Sequence, residues 1–255
     1  MKFLIGHSGF VGETLKRQTH FDALFRSNNI EQIADRTADL IVCAGAPSQK
    51  WIANRDPATD KASIARLITA LHTVNAAYVV LISTVDVFTN PLGVDEDSPI
   101  DTAGLQPYGL HRYQLEQAVK EQFEHHLIVR LTGLVGEGLR KNALYDLKHR
   151  HQLNALDARA HYQFYPMQHL WRDIGRAREA GLQLAHFNAE PLPLGTVAQD
   201  IFAIPLADAS NPTPARYDLH TRHASTLGSH GRYLYDASAS LAAIRAYATN
   251  LQEHG

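Results

Sequence analysis

Side chains that can move a proton onto or off an oxygen atom lie in two neighbouring segments of this chain. Thr84 follows the apolar run 78–82, and Tyr108 and Arg112 lie four residues apart at the start of a predicted helix, a spacing that puts both on one helix face. A hydroxyl can hold a substrate oxygen, a tyrosine can exchange its proton, and a cation favours the tyrosinate. The cation matters because an unperturbed tyrosine has a pKa of about 10. The set suits carbonyl and alcohol chemistry.

A glycine turn near the N-terminus is the second chemical feature. It lies between an apolar run at 2–5 and a predicted helix that starts at Phe10. Such a turn presents free backbone N–H groups at a helix N-terminus, which suits the pyrophosphate of a dinucleotide. A tight structural turn is the alternative, but the position directly after a first strand favours the dinucleotide. The predicted binding residues in the turn are Gly6, Ser8, Gly9, Phe10, Val11 and Gly12.

The end of the second predicted strand, residues 22–25, indicates which dinucleotide binds. An acidic residue at this position holds the ribose 2′-hydroxyl of NAD, whereas an arginine accommodates the 2′-phosphate of NADP. The chain has Arg26 and Ser27 there and no Asp or Glu, which favours NADP over NAD. Arg17 is a second arginine that could serve this phosphate. The alternative is that Arg26 is an ordinary solvated surface cation.

The elements that must position these residues alternate between strand and helix. Continuous apolar strands with amphipathic helices between them predict an α/β fold, a doubly wound parallel sheet of Rossmann type with a small C-terminal substrate lobe. Residues 1–135 are predicted to form the dinucleotide-binding part. Residues 136–255 are predicted to form the smaller lobe, interleaved with the sheet in the same compact unit, with a last helix over about 237–251.

Composition narrows the classes of partner and setting. The 255 residues carry a formal net charge of −2, which does not favour nucleic acid or an anionic membrane as partner. No apolar run approaches the roughly 20 residues that span a bilayer. Cys43 is the only cysteine, so no disulfide forms within the chain, and a reducing cytoplasm is the expected setting. Cys43 is interpreted as a buried packing residue, and the 15 histidines, among them His126, as surface residues without a metal site.

Three motifs in this order resemble those of the extended short-chain dehydrogenase/reductases, the NAD(P)-dependent epimerase/dehydratase group. They are Gly6-x-x-Gly9-Phe10-x-Gly12, Ile82-Ser83-Thr84-x-x-Val87-Phe88, and Tyr108-x-x-x-Arg112 with Glu116. The second motif is closest to dTDP-4-dehydrorhamnose reductase-like proteins. The resemblance covers residues 1–140.

The resemblance implies roles for individual residues. Thr84 would polarise the substrate oxygen, Tyr108 would be the acid or base, and Arg112 would stand in the place of the family lysine; Tyr108 and Arg112 would also contact the cofactor. The segment 44–46 would pass close to the cofactor through Ala44, Gly45 and Ala46. The implied activity is NADP-dependent oxidation, reduction or epimerisation of a sugar-like, nucleotide-linked small molecule by hydride transfer. Trp51, Asp86 and Arg172 are the predicted substrate contacts; the alternatives are an ordinary packing role for Trp51 and a surface role for Arg172. A homodimer is expected by resemblance only.

Two departures from the family pattern leave alternatives open. Arg112 replaces a lysine, and because an arginine effectively never deprotonates, no proton can be relayed through it. A non-catalytic NADP-binding regulatory or interaction protein of the same fold therefore stands beside the enzyme, as does an atypical enzyme without net redox change. In addition, residues 26–40 leave room for only one short helix or turn, so a strand of the usual set is expected to be missing or reduced.

Overall fold

The computed structural model describes residues 1–208 and 212–250. Its helices, numbered along the chain, are α1 Phe10–Gln18, α2 Lys50–Arg55, α3 Pro57–His72, α4 Pro107–Gln122, α5 Ala143–His149, α6 Leu170–Glu179, α7 Leu194–Phe202 and α8 Ala237–Thr249. Its strands are β1 Lys2–Ile5, β2 Ala23–Phe25, β3 Thr37–Ala38, β4 Leu40–Cys43, β5 Asn75–Ala76, β6 Val79–Thr84, β7 Leu92–Val94, β8 His126–Leu131, β9 Gly133–Val135, β10 His161–Tyr162, β11 Phe164–Pro166, β12 Leu184–Phe187, β13 Leu192–Pro193 and β14 Asp218–Leu219. The predicted last helix matches α8, and residue 251 lies outside the described residues.

The main sheet has the strand order β12-β8-β6-β4-β1-β2. Strand β1 pairs in parallel with both β2 and β4, and β4 pairs in parallel with β6. The strand order therefore reverses at β1, as in doubly wound sheets, where ligands bind beyond the carboxyl ends of the strands at this point. Every residue of β4 and β8 is buried, as expected of strands covered on both faces. The predicted α/β fold is confirmed.

Helices α3 and α4 contribute apolar side chains to the core that includes this sheet. Ile64 and Leu67 of α3 and Leu115 and Val119 of α4 belong to one buried cluster. The start of α3 is specified locally, because Pro57 is its first residue and the side chain of Asp56 accepts the N–H of Thr59 at 3.2 Å. Packing in this cluster thus fixes the positions of α3 and α4, the two helices that carry most of the candidate site.

The connection after β2 is short, as the sequence predicts. Residues 26–39 form a 3₁₀ helix, Ile30–Ile33, and the two-residue strand β3, which pairs with β5 rather than with the main sheet. Strand β2 therefore ends the main sheet on this side, where the classic doubly wound order has one further strand. The carboxyl end of β2, with Arg26, is left at the sheet edge.

The described residues divide into two compact units. The first consists of residues 1–90, 98–130 and 171–185, and contains every element of the candidate site. The second consists of residues 91–97, 131–170 and the described residues from 186 onward. Its core includes Leu147, Ala160, Leu194, Ala198 and Ile204. The interpretation of residues 136–255 as a substrate lobe stays a prediction.

Two single residues show where local interpretation succeeded and where it failed. Cys43 is fully buried in β4, which confirms its packing role, and this burial raises the pKa of its thiol to about 11. The surface interpretation of His126 is wrong. It starts β8 and is buried, with Nδ1 2.7 Å from the carbonyl oxygen of Phe123, because the packing around the strand, not residue polarity, decides its exposure.

Within the described part of the chain, none of the helices combines the length and apolar character that crossing a bilayer requires.

Candidate functional site

The glycine turn is built by close backbone approaches that a side chain would block. Gly6 has φ +85°, and a Cβ atom on it would lie 2.2 Å from the carbonyl oxygen of Ala44. A Cβ atom on Gly12 would lie 2.2 Å from the carbonyl oxygen of Gly6. The N–H of Gly6 donates to the carbonyl oxygen of Phe25 at 2.8 Å. Glycine at positions 6 and 12 therefore lets the turn meet the ends of β2 and β4 and pack against α1.

Helix α1 begins at the turn with its N-terminus open to a ligand. Gly9 is the N-cap and has no side chain that could accept a hydrogen bond from the first-turn amides. Ser8 and Gly9 are exposed, and Phe10 and Val11 are half-buried. Uncapped amides at the positive end of a helix suit an anion. The predicted cofactor contacts of these residues remain predictions.

Lys16 and Arg26 bring positive charge close to the turn, and sequence analysis missed a histidine beside them. His7 lies between Gly6 and Ser8. Its pKa is lowered from its ordinary value by burial first, and then by the charges of Lys16 and Arg26. Its Nδ1 atom is buried and has no hydrogen-bond partner within the described chain. The only sequence signal was the position of His7 inside the turn.

Arg26 is exposed at the tip of β2, where two asparagines order it. Its Nε donates to Oδ1 of Asn28 at 2.9 Å, and its backbone N–H donates to Oδ1 of Asn29 at 2.7 Å. A further arginine lies beside Ser27: Arg66 of α3 donates to the carbonyl oxygen of Ser27 and also binds Glu31 through Nε at 2.6 Å. Glu31, the first acidic residue that follows this tip in sequence, is thus paired with an arginine.

The two hydroxyl residues that end β6 have different surroundings. The hydroxyl of Ser83 is buried and donates to Oε1 of Glu116 at 2.5 Å. The hydroxyl of Thr84 accepts the N–H of Asp86 at 3.2 Å, which leaves its proton free to serve as a donor. Successive side chains of a strand point to opposite faces, so Ser83 is used by the core, and Thr84 is the residue available to a substrate.

Glu116 is the centre of a buried polar network. Besides Ser83, it binds Arg130 of β8, with Nε to Oε1 at 3.0 Å and Nη2 to Oε2 at 2.7 Å. Neither Glu116 nor Arg130 exposes more than 2% of its side chain. Since α4, β6 and β8 each contribute one partner, the network holds the helix that carries Tyr108 against the strand that carries Thr84.

Removing the Glu116 carboxylate is expected to destabilise the protein without changing the chemistry of the site. Glu116→Ala leaves the buried Arg130 without its partner, an effect of about 3–5 kcal/mol. Urea unfolding followed by circular dichroism measures it. Gln114→Ala, an exposed position on the same helix, is the control and should change stability by less than about 0.5 kcal/mol. A loss below 1 kcal/mol for Glu116→Ala would contradict this role.

Tyr108 is the second residue of α4 and is held by its backbone. Its N–H donates to Oδ1 of Asn54 at 2.9 Å. A Cβ atom on Gly109 would lie 2.0 Å from the carbonyl oxygen of Asp86, so the helix start can touch the end of β6 only because this residue is glycine. Tyr108 is almost fully buried, and this burial raises the pKa of its phenol, while Arg112 opposes the rise.

Arg112 is buried and engaged by protein atoms. Its guanidinium makes a two-pronged contact with Asp60, with Nη1 to Oδ2 at 2.5 Å and Nη2 to Oδ1 at 2.8 Å. Nη1 also donates to the carbonyl oxygen of Tyr108 at 3.1 Å, and Nη2 donates to that of Pro47. The four Nη–H donors are therefore all used, and Nε is buried without a partner among the described residues. The guanidinium carbon lies 3.9 Å from the centre of the Tyr108 ring, so the cation faces the ring of the tyrosine.

Asp60 was not foreseen as a member of the site. It lies on α3, is 5% exposed, and also contacts Nδ1 of His111 through Oδ2 at 2.6 Å. Burial acts to raise its pKa, but hydrogen bonds from Arg112 and His111 outweigh burial and hold the pKa below its ordinary value. A charged carboxylate therefore neutralises much of the positive charge that Arg112 brings to Tyr108.

Helix α2 forms a further wall of the site. Nζ of Lys50 lies 2.7 Å from Oδ1 of Asp86. The neighbouring Trp51 exposes 62% of its surface, with the guanidinium of Arg55 4.8 Å from its ring centre. An ordinary packing role for Trp51 does not fit this exposure. Arg172, on α6, pairs with the adjacent Asp173 at 3.1 Å, and its substrate role stays a prediction.

A continuous series of contacts within the first unit joins most of the predicted residues. Gly6 lies against Ala44, the segment that follows β4 meets Arg112 through Pro47, and the Tyr108 helix meets the end of β6 at Asp86. The segment includes Gly45, where a Cβ atom would lie 2.8 Å from a side-chain carbon of Ile5. The glycine turn, the 44–47 segment, the start of α4 with Tyr108 and the residues that follow Thr84 thus belong to one contiguous region.

The fold that carries this arrangement is a doubly wound α/β fold of Rossmann type. Comparison of the sequence with protein-family models and with curated proteins finds no match. Solved structures do match over nearly the whole chain. They include dTDP-4-dehydrorhamnose reductase from Bacillus anthracis in complex with NADP, at 18% identity, with a TM-score of 0.74 and 96% of each chain covered.

Two further matches widen the range of ligands seen on this fold. UDP-N-acetylglucosamine 4-epimerase from Methanobrevibacter ruminantium, in complex with UDP-N-acetylmuramic acid, is 11% identical, with a TM-score of 0.75 and coverage of 97% of this chain and 96% of that one. The enzyme WbmG from Bordetella bronchiseptica, in complex with NAD, is 13% identical, with a TM-score of 0.75 and coverage of 97% and 93%. At these identities the likeness establishes the fold, and the predicted Rossmann-type α/β fold is confirmed.

Proposed function

We propose that the protein is an NADP-dependent oxidoreductase or epimerase that moves hydride to or from a carbon of a sugar-like, nucleotide-linked substrate. The observation that carries the proposal is the contiguity of the glycine turn, the segment 44–47, Tyr108 and the end of β6 with Thr84. A turn that can bind a dinucleotide, close to a tyrosine and a threonine that can exchange or donate a proton, suits the reduction of carbonyls and the oxidation of alcohols.

The residues around the glycine turn fit a dinucleotide with a 2′-phosphate. A Cβ atom would fill the cradle at Gly6 and Gly12, and the uncapped start of α1 suits the pyrophosphate. Arg26 offers charged donors of the kind that a further phosphate needs, and the buried Nδ1 of His7, which has no partner within the described residues, adds a polar atom beside the turn. On this basis we assign the turn, Arg26, Ser27 and the segment 44–46 to NADP binding. When bound, the nicotinamide supplies or takes up the hydride.

Thr84 and Tyr108 divide the work at the substrate oxygen. The Thr84 hydroxyl, whose oxygen already accepts the Asp86 N–H, donates its proton to the substrate oxygen and orients it. Tyr108 gives a proton to that oxygen during reduction or takes one during oxidation. Because burial raises the pKa of the phenol, Tyr108 is protonated at neutral pH, and this favours its use as the proton donor of a reduction.

Helix α2 and the end of β6 support a role in binding the substrate. The exposed Trp51 ring offers a flat apolar surface for a sugar or base ring, and Asp86 offers acceptors for sugar hydroxyls. Arg172 is proposed for an anionic group of the substrate. The reductase and epimerases of this fold, by their names, act on nucleotide-linked sugars, and we extend that substrate class to this chain, together with a homodimeric state.

The proposed preference for NADP predicts that removal of Arg26 weakens the binding of NADPH but not that of NADH. Arg26→Ala should weaken NADPH binding by about tenfold or more, the worth of a charge-assisted hydrogen bond, and leave NADH binding unchanged. Fluorescence titration with each cofactor measures both affinities. Lys61→Ala, an exposed cation on α3, is the control. Absence of binding to either cofactor would refute the proposed function, and equal losses for both would refute the assignment of Arg26.

A second candidate function is favoured by the surroundings of Arg112. Because Asp60, Pro47 and Tyr108 use all its Nη–H donors, Arg112 has none of these left for a ribose hydroxyl. A protein that binds NADP without turning it over would fit this observation. Co-purification with a partner enzyme, together with no change in NADPH absorbance against a panel of keto-sugars, would favour this second function.

A further inference from the structure

The ion pair of Lys50 and Asp86 lies where β6, α2 and α4 meet. Nζ of Lys50 is 2.7 Å from Oδ1 of Asp86, and Asp86 follows Thr84 by two residues. The lysine side chain is 45% exposed and the aspartate side chain 19%, so a cation accessible to solvent is tethered to a more covered anion. Sequence analysis gave Lys50 no role, since it lies 58 residues before Tyr108.

The face of α2 that carries Lys50 is the face that meets Tyr108. Asn54 lies four residues after Lys50, on the same side of the helix, and its Oδ1 accepts the N–H of Tyr108 at 2.9 Å. The helix of Tyr108 also presses on the backbone of Asp86 through Gly109. Lys50 is therefore linked to the Tyr108 helix from two directions, through its own helix and through its ion-pair partner.

Arg112 occupies the sequence position of the family lysine, but protein atoms fix its side chain. It is fixed by Asp60 and by two carbonyl oxygens, and its guanidinium is stacked on the ring of Tyr108 rather than free to follow a ligand. The Lys50 ammonium, by contrast, is a compact charge on a flexible stem. Its ion pair places that charge beside the carboxylate of Asp86, which follows Thr84 by two residues.

We propose that Lys50, paired with Asp86, is a positioning residue that offsets the negative charge of the Asp86 carboxylate beside the start of the Tyr108 helix, and so allows the phenol to give up its proton. This inference rests on the proposed role of Tyr108 as acid or base. It assigns to α2 an electrostatic task that Arg112 performs in part, and it makes Asp86 the carboxylate whose charge Lys50 offsets.

The charges that face Tyr108 come from every element around it, and each has a definite sign. After burial, which raises the pKa of Tyr108, the contributions in decreasing order are a lowering by Arg112 of α4, a rise from Asp86, a lowering by Lys50 of α2 and a rise from Asp60 of α3. Removing Lys50 and removing Asp86 should therefore move the titration of the phenol in opposite directions.

The test is a spectrophotometric titration of tyrosinate on the full chain with no substrate present. Each protein is compared with the same protein carrying Tyr108→Phe, so that the difference isolates this one phenol. Lys50→Met should move the Tyr108 transition to higher pH, and Lys50→Arg should restore it. Asp86→Asn should move the transition to lower pH. Lys61→Met, an exposed charge on α3, is the matched control and should leave it in place.

An unchanged Tyr108 transition in Lys50→Met, or shifts of the same sign in Lys50→Met and Asp86→Asn, would overturn the inference. If Lys50→Met does not fold, Lys50→Gln and Asp86→Asn provide the same opposed pair. The proposed function is judged separately, by turnover of Tyr108→Phe. A titration that shifts as expected in a protein without turnover would uphold the role of Lys50 and reject the enzyme.

Discussion

Replacement of Tyr108 by phenylalanine is expected to lower turnover by about 10²–10⁴-fold and to leave the affinity for NADPH unchanged. The magnitude is that of general acid–base catalysis by one side chain. Phenylalanine keeps the buried ring and its contact with Arg112, and the backbone bond to Asn54 does not involve the side chain. The helix start should therefore stay in place while the proton is lost. Steady-state kinetics and cofactor titration measure the two quantities.

Tyr113 provides the matched control for this experiment. It lies one turn further along α4 and is half-buried, so Tyr113→Phe removes a hydroxyl from the same helix away from the proposed site. It should leave kcat within about twofold of the unsubstituted protein. Equal turnover of Tyr108→Phe and the unsubstituted protein would remove Tyr108 from the mechanism and favour the non-catalytic alternative.

Loss of the Asp60 carboxylate is expected to lower stability as much as loss of the Glu116 carboxylate. Asp60→Ala leaves Arg112, 2% exposed, as an uncompensated buried charge, at a cost of about 3–5 kcal/mol. Arg112→Met in the same chain should restore part of the loss, because an apolar side chain of similar volume needs no partner. Urea unfolding of the single and double variants measures both effects. Lys61→Ala should stay within about 0.5 kcal/mol, and an equally small loss for Asp60→Ala would contradict the role of the pair.

The same pair predicts a dependence of stability on pH. The folded protein holds the pKa of Asp60 below its ordinary value of 3.8. A group with a lowered folded pKa contributes stability that is fully present above its unfolded pKa and is lost as pH falls through the folded one. Stability should therefore fall below about pH 4, and Asp60→Asn should show a shallower fall. Equal acid dependence in both proteins would show that Asp60 does not carry it.

Much of the fold follows from short-range patterns. The apolar runs of β1, β4 and β8 and the helical spacing of α3 and α4 each determine their element locally, since burial on both faces or on one stripe needs only the residues of that segment. Glycines at positions 6 and 12 likewise indicate the turn, because their small size is needed wherever two backbones pass closely. These features positioned Thr84 and Tyr108 at the ends of the right elements.

The residue types and their spacing by themselves determined the α/β fold, the glycine turn and the hydroxyl–tyrosine pair, because each depends on neighbours close in the chain. Only the tertiary structure decided the partners of these residues. Asp60 meets Arg112 from 52 residues away, Lys50 meets Asp86 across 36, and Ser83 rather than Thr84 was taken by Glu116. Burial, charge pairing and hydrogen bonding between distant segments depend on how helices pack on the sheet, and no local pattern encodes that packing.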